Sequence, residues 1–361
     1  MSVLQKLSIS KLRNINFAEI RPSSSINIFY GENGSGKSTA LEAIHLLGLA
    51  RSFRSNSQKP LIQHGEKEST VFAELSDKTT IGVTKGGRLS QQIKISGRKA
   101  EKTAELAKCL PLQVLNSDTF KILEGSPKIR RHYLDWGVFH VEHCFLEQWR
   151  QGQIALQNRN SLLKRGASKS EIDPWTQEFV KYAESIDGFR QVYVETLQPI
   201  VSSILAKLID LKGLNLEYDR GWDKDIILQD LMSSSFNRDL RYGYTVAGPQ
   251  RADLKIKIGQ NHAIDILSRG QQKLLVSALK IAQGALLERE NNKNCVYLID
   301  DLPAELDEKN RKKVCELLSS LNCQLFITSV DASSLDGCWD GIELEGKEKK
   351  LFHVKHGKIS E

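Results

Sequence analysis

The chain has no apolar run approaching the ~20 residues that a bilayer span requires. The longest candidate, Leu41 to Ala50, is interrupted by Glu42 and His45. The amino-terminal MSVLQKLSIS alternates as a strand does and holds no apolar core of a secretory leader. Cysteine is sparse: Cys109, Cys144, Cys295, Cys315, Cys323 and Cys338 are the only six in 361 residues, and none form a Cys-x-x-Cys pair. That pattern argues against a zinc site or a disulfide framework, and Cys295, Cys315 and Cys323 read as small buried hydrophobes in or beside apolar runs. There is no internal repeat and no low-complexity tract. Together these absences exclude a membrane-embedded protein, a fibre and a disordered chain. A soluble, cytoplasmic protein is expected.

What is present is an ordinary globular mix, 40% hydrophobic and 26% charged. The length suits two or three domains and a core that needs no staples. The net charge of +7 is compatible with a nucleic-acid or polyanionic partner. Short strands are expected at Val3–Ile9, Asn16–Arg21 and Ile26–Tyr30, then a glycine-rich turn and a helix from Lys37 to about Leu49. Period-two alternation over 69–98 predicts three strands of an antiparallel accessory sheet. A short strand, Leu112–Leu115, precedes a mostly helical stretch. Strand character returns at Tyr242–Val246 and Leu254–Ile258. A helix from Ser268, an apolar strand Cys295–Ile299, a helix Glu308–Leu321, a strand Gln324–Thr328 and late strands near 341–345 and 351–355 follow. The fold class expected is α/β: a head with a mixed or parallel sheet and an antiparallel accessory sheet. The head is discontinuous, 1–120 and 241–361, with a mainly helical domain, 121–240, inserted.

Three motifs carry chemistry. Gly31-Glu32-Asn33-Gly34-Ser35-Gly36-Lys37-Ser38-Thr39 fits G-x-x-x-x-G-K-S/T, after a strand and opening a helix. Its N–H groups and helix dipole would cradle the phosphates of ATP, Lys37 would reach the β/γ-phosphates, and the Ser38 hydroxyl would ligate Mg²⁺. The apolar strand ending in Asp300 and Asp301 offers one carboxylate to Mg²⁺, Asp300, and a second, Asp301, to polarise an attacking water. The alternative for such an acid is a cap on the next helix. Leu267-Ser268-Arg269-Gly270-Gln271-Gln272 opens a helix 32 residues before Asp300. A serine hydroxyl, a glycine N–H and a helix dipole make a γ-phosphate sensor, one that would complete a second subunit's site across a dimer; the alternative is an ordinary capped helix. Lys37 and Asp300 lie 263 residues apart, far more than a small kinase inserts.

Together the three motifs resemble the ABC-type ATPase fold in its SMC-like DNA-repair branch. The segments Glu124–His140, Thr245–Leu254, Leu267–Lys273, Asp300–Asp307 and Phe352–Gly357 are similar to the RecF family, so the likeness spans nearly the whole chain. The resemblance implies a DNA-dependent ATPase of slow turnover that dimerises on ATP and helps load recombinase at gapped DNA, with RecO and RecR as partners. It assigns Gly31–Thr39 to the Walker A loop, Leu267–Gln272 to the signature, Asp300 and Asp301 to Walker B and Ala304–Asp307 to the D-loop. Gln113 is the candidate glutamine linking Mg²⁺ to the helical lobe. Ser268, Gly270 and Gln271 are expected at the nucleotide, and Lys37, Asp301, Gln113 and Ser268 in catalysis. Three positions depart from the pattern. Asp301 stands where many such ATPases have Glu, which points to slow water activation. No His follows the strand Gln324–Thr328; Ser329 and Asp331 stand there. Gln250 stands where His is expected.

Two basic clusters are candidates for DNA phosphates, double-stranded and single-stranded, with no base-reading motif. One is Lys85, Arg88, Lys94, Arg98, Lys99 and Lys102; the other is Lys128, Arg130, Arg131, Arg150, Arg159, Lys164 and Arg165. The helical middle is too short for a long coiled coil. The rival readings are a nucleotide-binding subunit of an ABC transporter and a small-molecule phosphotransferase.

Overall fold

Strands drawn from both ends of the chain meet in one sheet. The computed structural model describes residues 3–55, 59–87, 90–339 and 347–361. They divide into two units, 1–119 with 207–209 and 273–361, and 120–206 with 210–272. In the first unit one six-stranded sheet runs Lys358–Ser360, Lys349–Lys355, Ile26–Tyr30, Gln324–Ser329, Val296–Ile299, Leu112–Leu115. All its pairings are parallel except the terminal hairpin. Val296–Ile299 and Gln324–Ser329 are buried at every position, as strands covered on both faces must be, and this is why they are continuous apolar runs in the sequence.

The second six-stranded sheet of this unit is antiparallel: Ile15–Ile20, Leu4–Leu12, Glu68–Leu75, Thr80–Gly86, Gln91–Ile95, Arg98–Lys99. Its alternation buries one face, with Val71, Ala73 and Leu75 inward on one strand and Ile81 and Val83 on the next. One core, from Leu7 and Ile9 through Leu41, Ile44 and Leu47 to Phe29, Phe326 and Phe352, joins that face to the helix Lys37–Leu49 and the mixed sheet. The helix is enclosed on almost every side. Glu42 in it is fully buried and is compensated by Arg13, whose Nη2 donates to Oε1 at 2.8 Å, and by Ser52. That carboxylate raises the Arg13 pKa through the direct hydrogen bond.

The second unit is mainly helical, with helices Pro127–Val141, Phe145–Lys164, most of Lys169–Leu208, Leu228–Ser234 and Phe236–Tyr242. It also holds a three-stranded antiparallel sheet, Asn261–His262, Asp253–Ile258, Leu214–Asp219. That sheet moves the return of the head: an end of the inserted domain at 240 was expected, but the division falls between 272 and 273. The reason is pairing of Asp253–Ile258 with Leu214–Asp219, a strand that sequence reading missed. Tyr242–Val246 is no strand; Gly243, at φ 72°, ends a helix there. The strand expected near 341–345 lies outside the described residues.

Candidate nucleotide-binding site

The loop between Ile26–Tyr30 and the helix Lys37–Leu49 is shaped by contacts its glycines permit. A Cβ on Gly31 would sit 2.2 Å from the Val354 carbonyl oxygen, and Gly36 has φ 121°. The loop is tied at three points. Gly31 N–H donates to Val330 O at 3.0 Å, Gly357 N–H to Ser35 O at 2.8 Å, and Asn14 Nδ2 to Ser35 O at 3.0 Å. Asn14 also accepts from the Thr39 hydroxyl at 3.1 Å. The turn after Leu12 and the carboxy-terminal hairpin thus clamp the loop.

Lys37 Nζ folds back over the loop and donates to Gly31 O at 2.5 Å and Glu32 O at 2.9 Å. Burial lowers its pKa, opposed by Asp301, Asp300 and Asp331. The helix start has no side-chain cap and no acid in its first turn, so its free N–H groups are available to an anion. The Ser35 hydroxyl is buried with no hydrogen-bond partner among the described residues, a polar atom that a phosphate oxygen would satisfy.

Asp300 follows the strand Val296–Ile299. Its Oδ1 accepts from Ser38 Oγ at 2.8 Å and from Thr328 Oγ1 at 2.8 Å. A hydroxyl and a carboxylate oxygen in contact are the hard-oxygen pair that Mg²⁺ takes when phosphates supply its other ligands. Among the described residues no cluster of three His, Cys, Asp or Glu offers a self-sufficient metal site. The residues therefore fit Mg²⁺ held jointly with a nucleotide. Asp301 is left-handed at φ 56°, with its N–H donating to Thr328 Oγ1 at 2.8 Å. It precedes the short helix Leu302–Glu305, but its side chain makes no cap bond, so capping does not account for it. A cavity of about 320 Å³ is lined by Asn33, Lys37, Ser38, Asp300 and Asp301, with Arg13 and Arg54 among its other walls.

Of the expected residues, Gly31 to Thr39, Asp300 and Asp301 are brought together. Gln113 is a correction. It is buried, pairs in register with Tyr297 and donates to Gln283 Oε1 at 3.0 Å. Asp300 lies three residues beyond Tyr297, roughly 10 Å along the strand direction, and Gln113 is bonded in the interior and does not line the cavity at Ser38 and Asp300. Thr328 and Asn14 were missed. Thr328 carries the signal that Asp300 carries, a polar residue closing an apolar strand; Asn14 is an ordinary turn residue in sequence. Ser329, at the position of an expected histidine, turns inward to Asp331 O at 2.8 Å.

The signature belongs to the second unit. Ser268, Arg269 and Gly270 are exposed. Ser268 N–H donates to Gln271 Oε1 at 2.9 Å and Gln271 N–H to Ser268 Oγ at 3.4 Å, a capping box. Gln272 is buried and donates to Ile264 O and Leu267 O. The loop is therefore held from below while its hydroxyl and glycine face solvent.

The basic clusters are smaller than their sequences suggest. Lys85 is buried and donates to Ala50 O at 2.5 Å, and burial lowers its pKa. Arg88 lies outside the described residues; Lys94, Arg98, Lys99 and Lys102 are exposed. In the helical cluster, Arg159 is fully buried against Asp239 at 2.8 Å, Arg130 pairs with Asp253 at 2.7 Å, and Arg131 donates to Ala252 O at 2.6 Å. Those three hold the unit together. Lys128, Lys164 and Arg165 are exposed and Arg150 partly so. Gln250 bonds within its own loop, to Ala247 O at 2.9 Å.

Comparison with known proteins agrees with this geometry. Residues 3–351 match the family model described as RecF/RecN/SMC N terminal domain. The DNA replication and repair protein RecF of Stutzerimonas stutzeri (strain A1501) is 48% identical over 363 residues, 99% of this chain and 97% of that protein. A solved structure of the recombination mediator protein RecF with ATP, in the RecFOR pathway, aligns at TM-score 0.85 and 26% identity, covering 99% of this chain and 97% of that one. A Pyrococcus furiosus Smc head domain aligns at TM-score 0.58 and 18% identity, over 100% of this chain and 96% of that one; there the likeness is of fold alone. The fold is that of an ABC-type ATPase head carrying a second, mainly helical unit.

Proposed function

This chain belongs to the RecF/RecN/SMC family, and from that premise we propose that it is an ATP-dependent DNA-binding protein of DNA replication and repair. The transporter-subunit and phosphotransferase readings give way to it. The relatives named for repair match 99% of the chain. In this reading the loop N–H groups and the open helix end bind the ATP phosphates, and Lys37 leaves its carbonyl partners to neutralise them. Ser38 and Asp300 would hold Mg²⁺, which adds positive charge at the β/γ-phosphate oxygens. Asp301 orients and polarises the attacking water, so catalysis is mostly positioning and charge.

Ser268 and Gly270 of a second copy close the site, making an ATP-dependent dimer on DNA at a gap or a duplex–single-strand junction. Slow hydrolysis, stimulated by DNA, opens it. RecO and RecR are its proposed partners in recombinase loading. The observation that carries this reading is the convergence of Lys37, Ser38, Asp300 and Asp301 on one cavity. Sedimentation with Mg-ATP, with and without duplex DNA, tests it. The wild type is expected to dimerise and carry DNA with it; Lys37→Met is expected to stay monomeric and to lose ATP binding by 100-fold or more, on the order of the several kcal/mol that phosphate neutralisation supplies. A wild type that stays monomeric under every condition overturns the in-trans signature.

A further inference from the structure

The second unit carries an exposed aromatic and basic patch that the nucleotide site does not use. Tyr242 is 50% and Tyr244 41% exposed, and their rings stack with centroids 5.8 Å apart at 17°. A guanidinium lies over each: Arg241 at 5.3 Å from the Tyr242 centroid and Arg251 at 5.2 Å from that of Tyr244. Neither arginine forms an ion pair among the described residues. Gly243, between the two tyrosines in sequence, abuts the stem of Lys164, whose Cγ would lie 3.2 Å from a Cβ there and whose side chain is exposed.

The backbone beneath is fixed. Thr245 N–H donates to Asn160 Oδ1 at 2.8 Å, Arg159 Nη1 donates to Thr245 Oγ1 at 2.6 Å, and Gly243 N–H closes the helix end on Asp239 O at 2.8 Å. This network fixes the backbone that carries two large, exposed rings. Stacked rings alternating with unpaired cations suit a ligand with flat π-faces and a phosphate backbone. In duplex DNA those faces are occupied by neighbouring bases; in a single strand they are free.

We propose that Tyr242 and Tyr244, with Arg241, Arg251 and Lys164, form a stacking site for single-stranded nucleic acid. On binding, a guanidinium moves from its ring to a phosphate and a base takes its place. This deepens the DNA reading above and rests on it, assigning the single-stranded arm of a gapped substrate to this patch.

The test uses the full chain with Mg-ATP and three DNAs: an intact duplex, the same duplex with a gap, and a single strand carrying 2-aminopurine. Wild type is compared with the double variants Tyr242→Ala/Tyr244→Ala and Tyr242→Phe/Tyr244→Phe. The alanine pair is expected to lose about 10- to 100-fold in affinity for single-stranded and gapped DNA, the size of removing base–aromatic stacking, while the phenylalanine pair keeps wild-type affinity. Intact-duplex binding is expected to be the same in all three, and 2-aminopurine emission to be quenched by wild type and the phenylalanine pair only. An alanine pair that binds gapped and single-stranded DNA as wild type does overturns the proposal and returns the patch to another partner, such as an acidic protein surface. A wild type that binds duplex but no single strand overturns it and leaves the DNA reading standing. A wild type that binds none of the three DNAs overturns both.

Discussion

Gly31 and Gly270 sit in the two halves of the proposed site, and the fold asks for only one of them. At Gly31 a Cβ would collide with the Val354 carbonyl, and the loop there is tied to Val330 just past the strand Gln324–Ser329, to the turn at Asn14 and to the terminal hairpin. At Gly270 a Cβ would meet nothing within 4 Å, and φ is not in the left-handed region. The cradle is thus completed by its own unit. The signature loop is fixed from below by Gln272 and left open above. A glycine that nothing among the described residues requires, in the first turn of a helix where glycine weakens helicity, is best explained by a close approach from outside.

The sharpest way to break this contrast is Ser268→Arg. The side chain is exposed, so folding and ATP binding at the intact cradle are expected to persist. Its bulk and charge would occupy the space a partner's nucleotide must enter. ATP-dependent dimerisation is therefore expected to vanish, read by sedimentation, while nucleotide affinity measured by equilibrium binding stays within about threefold of wild type, as for a surface substitution. A variant that still dimerises with ATP would sink the idea that the signature acts in trans.

A smaller effect separates the halves by pH. His45 lies in the cradle helix, and its Nδ1–H donates to Arg51 O at 2.6 Å. Burial pushes its pKa down to about 4. In the unfolded chain the imidazole titrates near 6.5, so between these values the unfolded state binds the proton more readily. The neutral-histidine contribution is complete above about pH 6.5 and is lost as pH falls towards 4. The loss comes to about 2 kcal/mol at pH 5 and about 3 kcal/mol near pH 4. Urea unfolding at pH 7 and pH 5 measures it; His45→Gln, which keeps a donor and cannot titrate, is expected to remove that part of the acid dependence. An unchanged pH slope in the variant would place the lability elsewhere.

What was legible in the sequence follows the same division. The loop Gly31–Thr39 and the buried strands could be read because their demands are local: glycine for tight approach, uninterrupted apolar residues for a strand covered on both faces. Gln113 was misread because a strand places a glutamine inward or outward by register, and its partner Gln283 is on a distant helix. Arg159 was misread for a similar reason, since a buried arginine and a solvated one are the same letter until Asp239 is brought beside it. Leu214–Asp219 needed Asp253–Ile258 to become a strand. Thr328 was the one legible residue passed over.

The finest test of the comparison is Gly270→Ala, because its two readouts are expected to move in opposite directions. Alanine is worth up to about 1 kcal/mol over glycine in a helix, less in a first turn, and it also restricts the unfolded chain. With open space around the Cβ, the isolated subunit is expected to gain a few tenths of a kcal/mol in urea unfolding. If a partner's nucleotide approaches this backbone, the added methyl weakens ATP-dependent dimerisation by about tenfold, the cost of a contact displaced by a few tenths of an ångström. Gly31→Ala, by contrast, is expected to lose stability and ATP binding together, because the Val354 carbonyl must move. Should Gly270→Ala stabilise the subunit and leave dimerisation untouched, the open glycine would mark nothing, and the asymmetry between the two halves would reduce to one of packing.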